Sequence, residues 1–89
     1  MIDKYKKYYY HFGDVIRNIR TNEAALNQTD FAKKLGIKQS YISKIESGKV
    51  RIGIIEVWEM CMELNIPFVE FAKMLESRLS SDPTIKRKR

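Results

Sequence analysis

The sequence predicts an all-α domain of five helices, and three observations predict it. Apolar residues recur at three- and four-residue steps in five separate stretches, the period of a helix face. The breaks between those stretches carry residues that start or stop helices: Asn27, Gly36, Gly48, Gly53 and Pro67. The chain has 89 residues, room for one core and no second, and its 44% hydrophobic content can fill that core without cross-links.

The first helix is predicted over residues 12–21, where Phe12, Val15, Ile16 and Ile19 share a face and Asp14 suits the first turn. Residues 1–11 are an N-terminal arm or an extension of this helix. Ile2, Tyr5, Tyr9, Phe12 and Ile16 keep the helical step, so the helix can begin early. Two readings of this Lys- and Tyr-rich start stand side by side. Either the tyrosines pack on the domain and the lysines are solvated, or the segment is a basic, aromatic arm for a DNA backbone or a dimer contact. His11 alone carries no site.

Residues 21–27 read as a loop. Asn27 is a good N-cap with Asp30 three residues on, so the second helix is placed at 28–35. Gly36 follows, where a cap with positive φ is wanted. The third helix is placed at about 39–47. Its inner face is Ile42 and Ile45 with part of Tyr41, and its outer face is Lys38, Gln39, Ser40, Ser43 and Lys44. Gly48 ends it. Gly53 is a weak cap for a fourth helix over 54–64, whose apolar residues Ile54, Val57, Trp58, Cys61, Met62 and Leu64 predict a buried central helix. Glu56, Glu59 and Glu63 form its solvated face. Pro67 sits near the first position of a fifth helix over 67–79, lined by Phe68, Phe71, Ala72, Leu75 and Leu79. That is more apolar surface than so small a core needs, so Phe68, Phe71, Leu75 and Leu79 are the candidate dimer interface. The domain proper is thus 12–79. Residues 80–89 are expected to be a disordered basic tail with a possible non-specific DNA contact, because Ser80-Ser81-Asp82-Pro83 breaks the helix.

The formal charge is +6, and its placement is informative. Lys86, Arg87, Lys88 and Arg89 close the chain. Residues 33–51 hold six basic residues against Glu46 alone, whereas 52–80 hold five glutamates against Lys73 and Arg78. A cationic helix pair backed by an acidic half suggests an oriented encounter with a polyanion. A short helix pair with an apolar inside and a cationic outside suits insertion into a DNA groove. The other classes find little support. No apolar run approaches the roughly 20 residues of a membrane span. No leader pattern opens the chain, and the expected location is the cytoplasm. Cys61 is single, so no internal disulfide forms and it reads as a small core residue. No metal cluster, nucleophile–base pair or phosphate loop appears, so neither an enzyme nor a cofactor is expected.

Residues 28–47 resemble the helix-turn-helix of the Cro and phage-repressor family, also called the Xre type. The likeness rests on Gln28 opening the first helix of the pair, Ala32 at the close helix contact, Gly36 in the turn, and Ile42 and Ile45 in the core. The trailing Ile45-Glu46-Ser47-Gly48-Lys49 also matches. A looser likeness spans about 12–75. The resemblance implies a compact five-helix, lambda-repressor-like domain and sequence-specific recognition of double-stranded DNA. It implies base contacts from Lys38, Gln39, Ser40, Ser43 and Lys44, and phosphate contacts from Ser47, Lys49 and Arg51. Gln28 at a helix start is a further phosphate contact, and Tyr41 is half core cover, half phosphate contact. It also implies a structural pair between Glu46 and an arginine near the end of the first helix. Arg20 is the better match, but it stands eight residues before Gln28 where seven is usual, so Arg17 stays open. The leading expectation is a transcriptional regulator, most simply a repressor bound as a homodimer to a roughly palindromic operator. A lysogeny-type repressor and a restriction–modification control protein both lie within it. The alternative is an antitoxin or similar interaction module, with a toxin or anti-repressor as protein partner. The length leaves no room for a sensor module, so regulation is expected from concentration, partner binding or degradation.

Overall fold

The computed structural model describes residues 5–85. The first four residues of the N-terminal segment and the basic run Lys86–Arg89 lie outside the described residues, and with them the expected tail contact to DNA. Five α-helices follow in order: α1 Lys6–Asn18, α2 Gln28–Leu35, α3 Gln39–Glu46, α4 Ile54–Glu63 and α5 Phe68–Ser81. Among the described residues there is no strand.

The early start of the first helix is real. α1 begins at Lys6 and buries Phe12, Gly13, Val15 and Ile16. Gly13 lies where α1 crosses the end of α3. A Cβ there would stand 2.3 Å from the Ile45 carbonyl oxygen and 2.6 Å from that of Glu46. Any side chain would push the two helices apart.

α1 does not stop at Asn18. It runs into a π turn over Ile19–Glu23, closed by Ala24 N–H donating to the Ile19 carbonyl at 2.9 Å. Leu26 N–H then reaches the Arg20 carbonyl at 3.0 Å, and Ala25 takes φ 53°. A π turn holds one residue more than an α turn. It therefore absorbs the extra residue between Arg20 and Gln28 and leaves Arg20 facing inward, buried.

The helix pair forms as its sequence dictates. The Asn27 side chain accepts from Asp30 N–H at 2.7 Å, which satisfies one of the unpaired donors of the first turn. Gly36 takes φ 70° and ends α2, and Ile37 N–H closes onto the Ala32 carbonyl at 3.0 Å. Phe31, Ala32, Ile42 and Ile45 then meet Ile16, Ile19 and Phe12 in one core. Cys61 belongs to the same core, and burial pushes its thiol up to about 11, so it stays protonated and inert.

Three expectations need correction. α4 is buried on one side only: of the six apolar residues that predict a buried central helix, Val57, Cys61 and Leu64 reach the core and Ile54, Trp58 and Met62 do not. Its core face is Val57, Met60, Cys61 and Leu64. Ile54 (67% exposed), Trp58 (48%) and Met62 lie outside, with Ile55 beside them. The helix carries two apolar stripes, and α2 and α5 cover only one of them. Second, the candidate dimer residues are largely spent on the core. Phe71 is 2% exposed and meets Phe12 edge-on with ring centroids 5.6 Å apart, and Phe68 and Leu75 pack half-buried beside it. Leu79 is half-buried. Third, the helix does not break at Ser80. α5 runs to Ser81, and Asp82 folds back to His11, with Nε2 and Oδ2 2.8 Å apart. Lys7 Nζ donates to the Thr84 carbonyl at 2.7 Å, and Asp14 pairs with Arg78. The end of α5 is thus fastened to the start of α1.

Candidate nucleic-acid interface

α3 presents its apolar residues inward, so its polar ones must face out. Ile42 and Ile45 are fully buried, while Lys38, Gln39, Ser40, Ser43 and Lys44 are all exposed. Lys38 occupies the N-cap position in extended conformation, which leaves the first turn of α3 projecting from the surface. Tyr41 is half in and half out. It lines a shallow groove with Ile37, Lys38, Ser40 and Lys44 at the head of the helix.

A chain of polar contacts runs from the core to this head. Glu46 is 1% exposed, and a bare carboxylate there would be costly. Arg20 answers with two bonds, Nε to Oε2 at 2.6 Å and Nη2 to Oε1 at 2.9 Å. Its Nη1 donates to the Leu26 carbonyl at 2.8 Å, in the loop that the π turn reshapes. Arg17 joins from one turn earlier, donating from Nη2 to the Glu46 main-chain carbonyl at 3.1 Å. The two candidate arginines therefore divide the work: Arg20 takes the carboxylate and Arg17 the end of α3. Gln28 Nε2 donates to Glu46 Oε1 at 2.9 Å, and Gln39 Nε2 donates to Gln28 Oε1 at 2.5 Å. The outermost member, Gln39, is thereby aimed by a buried ion pair through one intermediate amide. The amide orientation is also set, because only one of its flips gives Gln28 both an acceptor and a donor partner.

The expected phosphate residues are placed unevenly. Gln28 stands at the start of α2, but its side-chain carbonyl and one amide N–H are engaged within the protein, by Gln39 and Glu46. The Ser47 hydroxyl donates to the Ser43 carbonyl at 2.9 Å, so its proton is turned toward its own helix. Lys49 is exposed just beyond Gly48, which takes φ 77°. The Arg51 guanidinium lies over two rings at the start of α1, 5.3 Å from the centroid of Tyr5, the N-cap residue, and 5.9 Å from that of Tyr9 within the helix. No local signal in the sequence announced that contact, nor the role of Gly13. Met60 could have been found as a core residue, since it keeps the step Val57, Met60, Leu64.

Among the described residues no group of His, Cys, Asp and Glu is placed to hold a metal. No helix there is long and apolar enough to cross a membrane.

Five helices around one core, with an exposed polar helix head on a hydrogen-bonded support, define a helix-turn-helix DNA-binding domain. The helix-turn-helix family profile matches residues 16–71. The chain belongs to this family, in its Xre-type, Cro-like branch, whose members are non-enzymatic DNA-binding transcriptional regulators. Among curated proteins it resembles "Control protein C.MunI" from a Mycoplasma species, 26% identical over 65 residues, 73% of this chain and 88% of that protein. Two solved restriction–modification controllers are also similar. C.Esp1396I is 27% identical with a TM-score of 0.76, over 84% of this chain and 96% of the other. C.AhdI from Aeromonas hydrophila is 26% identical with a TM-score of 0.64, over 70% and 92%.

Proposed function

We propose that this regulator binds a roughly palindromic operator as a homodimer and represses transcription by occupying it, in the manner of a restriction–modification controller in the cytoplasm. The observation that carries the DNA reading is the contact chain from Arg20 through Glu46 and Gln28 to Gln39. It holds an exposed glutamine amide in one orientation at the head of an exposed helix. A fixed amide can pair in bidentate fashion with adenine N6 and N7, a discrimination worth about 1–3 kcal/mol. Lys38 and Lys44 can donate to guanine, and Ser40 and Ser43 can add single bonds. Lys49, Arg51, Tyr41 and the start of α2 serve the backbone.

The homodimer rests on α4. Ile54, Trp58 and Met62 make one exposed apolar row, with Ile55 beside it. A contiguous apolar row on so small a domain marks a contact surface. On a palindromic operator the two α3 heads of such a dimer would sit about 34 Å apart, one turn of B-DNA. The controller relatives support restriction–modification control as the setting. Selection of random duplex DNA by the purified protein tests the whole reading, and a motif of two related half-sites is expected. Recovery of no motif would overturn it and would reassign the α4 row to a protein partner such as a toxin.

A further inference from the structure

The first two turns of α1 precede the helix-turn-helix pair and lie against its far end. Lys6, Tyr10, Gly13 and Arg17 recur at steps of four, three and four, so they share one face of α1. That face runs along the end of α3. Arg17 Nη2 donates to the Glu46 main-chain carbonyl at 3.1 Å. A Cβ on Gly13 would press on the Ile45 and Glu46 carbonyls, and a Cβ on Gly48 would stand 2.7 Å from Tyr10 N and Cα. Going back along the row from Arg17 to Tyr10 therefore follows the chain forward from Glu46 to Gly48. Lys6 is the next member of the row, one turn beyond Tyr10. It stands beside the segment that leaves Gly48, whose first residue is Lys49.

Another side of these turns is tied down. Lys7 and His11 each follow Lys6 and Tyr10 by one residue, about 100° around the helix. Lys7 Nζ donates to the Thr84 carbonyl at 2.7 Å, and His11 Nε2 lies 2.8 Å from Asp82 Oδ2. The Tyr10 ring meets the His11 ring edge-on, with centroids 5.8 Å apart. The start of α1 is thus fixed with Lys6 and Tyr10 exposed. Residues 5–13 and 47–55 contain no acid. The acids that border them in sequence, Asp14 and Glu46, are paired with Arg78 and Arg20. The field over both segments is cationic.

We propose that Lys6 and Tyr10 carry the DNA-binding surface onto α1. With Lys49 they form one strip of phosphate contacts, the lysines by charge and the tyrosine hydroxyl by a donated hydrogen bond. The occupant is the duplex backbone, because a cationic, acid-free strip continuous with Lys49 complements a row of phosphates. Such contacts add affinity and fix orientation, and they read no base. The inference rests on the reading of Lys49 as a phosphate contact.

The test uses the full chain with Lys6→Gln, Lys49→Gln and Tyr10→Phe. Binding is read on a selected operator and on unrelated duplex over a range of salt. Each lysine–phosphate contact that is lost lowers the salt slope by about 0.9, a loss of roughly eightfold at about 0.1 M salt. Lys6→Gln and Lys49→Gln should each show that loss on both DNAs alike, and Lys6→Arg should bind as the parent. Tyr10→Phe should weaken both DNAs by about two- to tenfold, the range of one neutral hydrogen bond, at unchanged slope, because a hydroxyl releases no counterion. On the operator, ethylation interference should lose neighbouring phosphates in Lys6→Gln and Lys49→Gln. If Lys49→Gln binds like the parent, the reading of that segment falls, and the proposal with it. If Lys49→Gln weakens binding but Lys6→Gln does not, the segment's contact stands and the α1 strip is overturned. A Lys6→Gln loss at unchanged salt slope also overturns it, since the residue then acts through the fold. A Tyr10→Phe chain that binds as the parent removes the hydroxyl from the strip. The slopes on unrelated duplex decide the matter even where selection recovers no operator, so failure of the operator reading is told apart from failure of this one.

Discussion

Removing Arg20 is the perturbation that bears on fold and function together. Arg20→Met keeps the length and apolar volume of the side chain and removes the guanidinium. Glu46 would stay where it is, 1% exposed, with both Arg20 bonds to its carboxylate gone. Gln28 would still donate at 2.9 Å, but the Arg17 Nε is 3.7 Å away and partly solvated. Breaking a buried pair from one side costs about 3–5 kcal/mol, because the surviving charge lacks both water and partner. Domains of this size hold about 5–15 kcal/mol in all, so the loss is a large share. Urea unfolding would show it as a midpoint lowered by about 2 M or more at unchanged slope. The companion variant is Arg20→Met with Glu46→Leu. It removes the stranded charge and should be more stable than the single variant by about 2 kcal/mol or more. The Leu26 carbonyl would still lack its donor, which keeps the double variant below the parent by about 1 kcal/mol. In that restored fold Gln28 has no anchor and Gln39 no fixed amide to bond to. Preference at one base position should relax while binding to unrelated DNA changes little. A single variant that lost less than about 1 kcal/mol, or a double variant no better than the single, would refute the reasoning.

Two further outcomes follow from the surface. Trp58→Glu places a charge in the middle of the exposed α4 row, where Trp58 is 48% exposed and its loss opens no core cavity. Sedimentation should then find a monomer with unchanged helix content and with affinity lost for two half-sites far more than for one; a dimer of undiminished strength would rule that row out. Hydrogen bonds from His11 and Thr84 hold the Asp82 carboxyl well below the usual carboxylate range of about 4. A depressed folded-state value means that the ionised form is favoured in the fold, so this contribution is present above that range and fades as pH falls below it. Asp82→Asn should therefore lower the urea midpoint at pH 7 and converge with the parent toward pH 2, and parallel curves would show the contact to be inert.

What the sequence announced and what it hid divide along a physical line. α2 begins at Gln28 and ends at Leu35 as expected because both ends are local chemistry: an Asn27 side chain within reach of Asp30 N–H, and a glycine that accepts φ 70°. The Arg20–Glu46 pair was legible through resemblance, but the choice between Arg17 and Arg20 was not. It depended on a π turn that no single residue between 19 and 23 dictates. The face of α4 was misread for another reason. Periodicity shows that a helix has an apolar stripe, but α4 has two, and docking against α2 and α5 selects between them. Ile54, Trp58 and Met62 fit a helical step as well as Val57, Cys61 and Leu64 do. The sequence reading takes both stripes as buried, and the packing covers only the one with Val57, Cys61 and Leu64. The ends of the domain were hidden by distance along the chain. His11 and Asp82 are 71 residues apart, so nothing near Ser80 could signal that the helix would continue and be tied down.

The same selection bears on how the proposed dimer contact and the proposed reading face would be coupled. α4 packs on α2 and α5 through Val57, Met60, Cys61 and Leu64 and shows its other stripe to the outside. α2 in turn carries Gln28, the amide that aims Gln39. In the proposed dimer, one helix thickness therefore separates the twofold contact from the residue that orients the reading head. A rotation of α4 within its socket would shift α2 and move Gln39 relative to the partner's copy, changing half-site spacing without touching a DNA-facing residue. The buried pair resists that motion, because Arg20 and Glu46 join the π turn to α3 and Gln28 of α2 is bonded to Glu46. Substitutions among the core residues of α4 should accordingly change tolerance for spacer length before they change base preference, whereas substitutions at Gln28 should do the reverse.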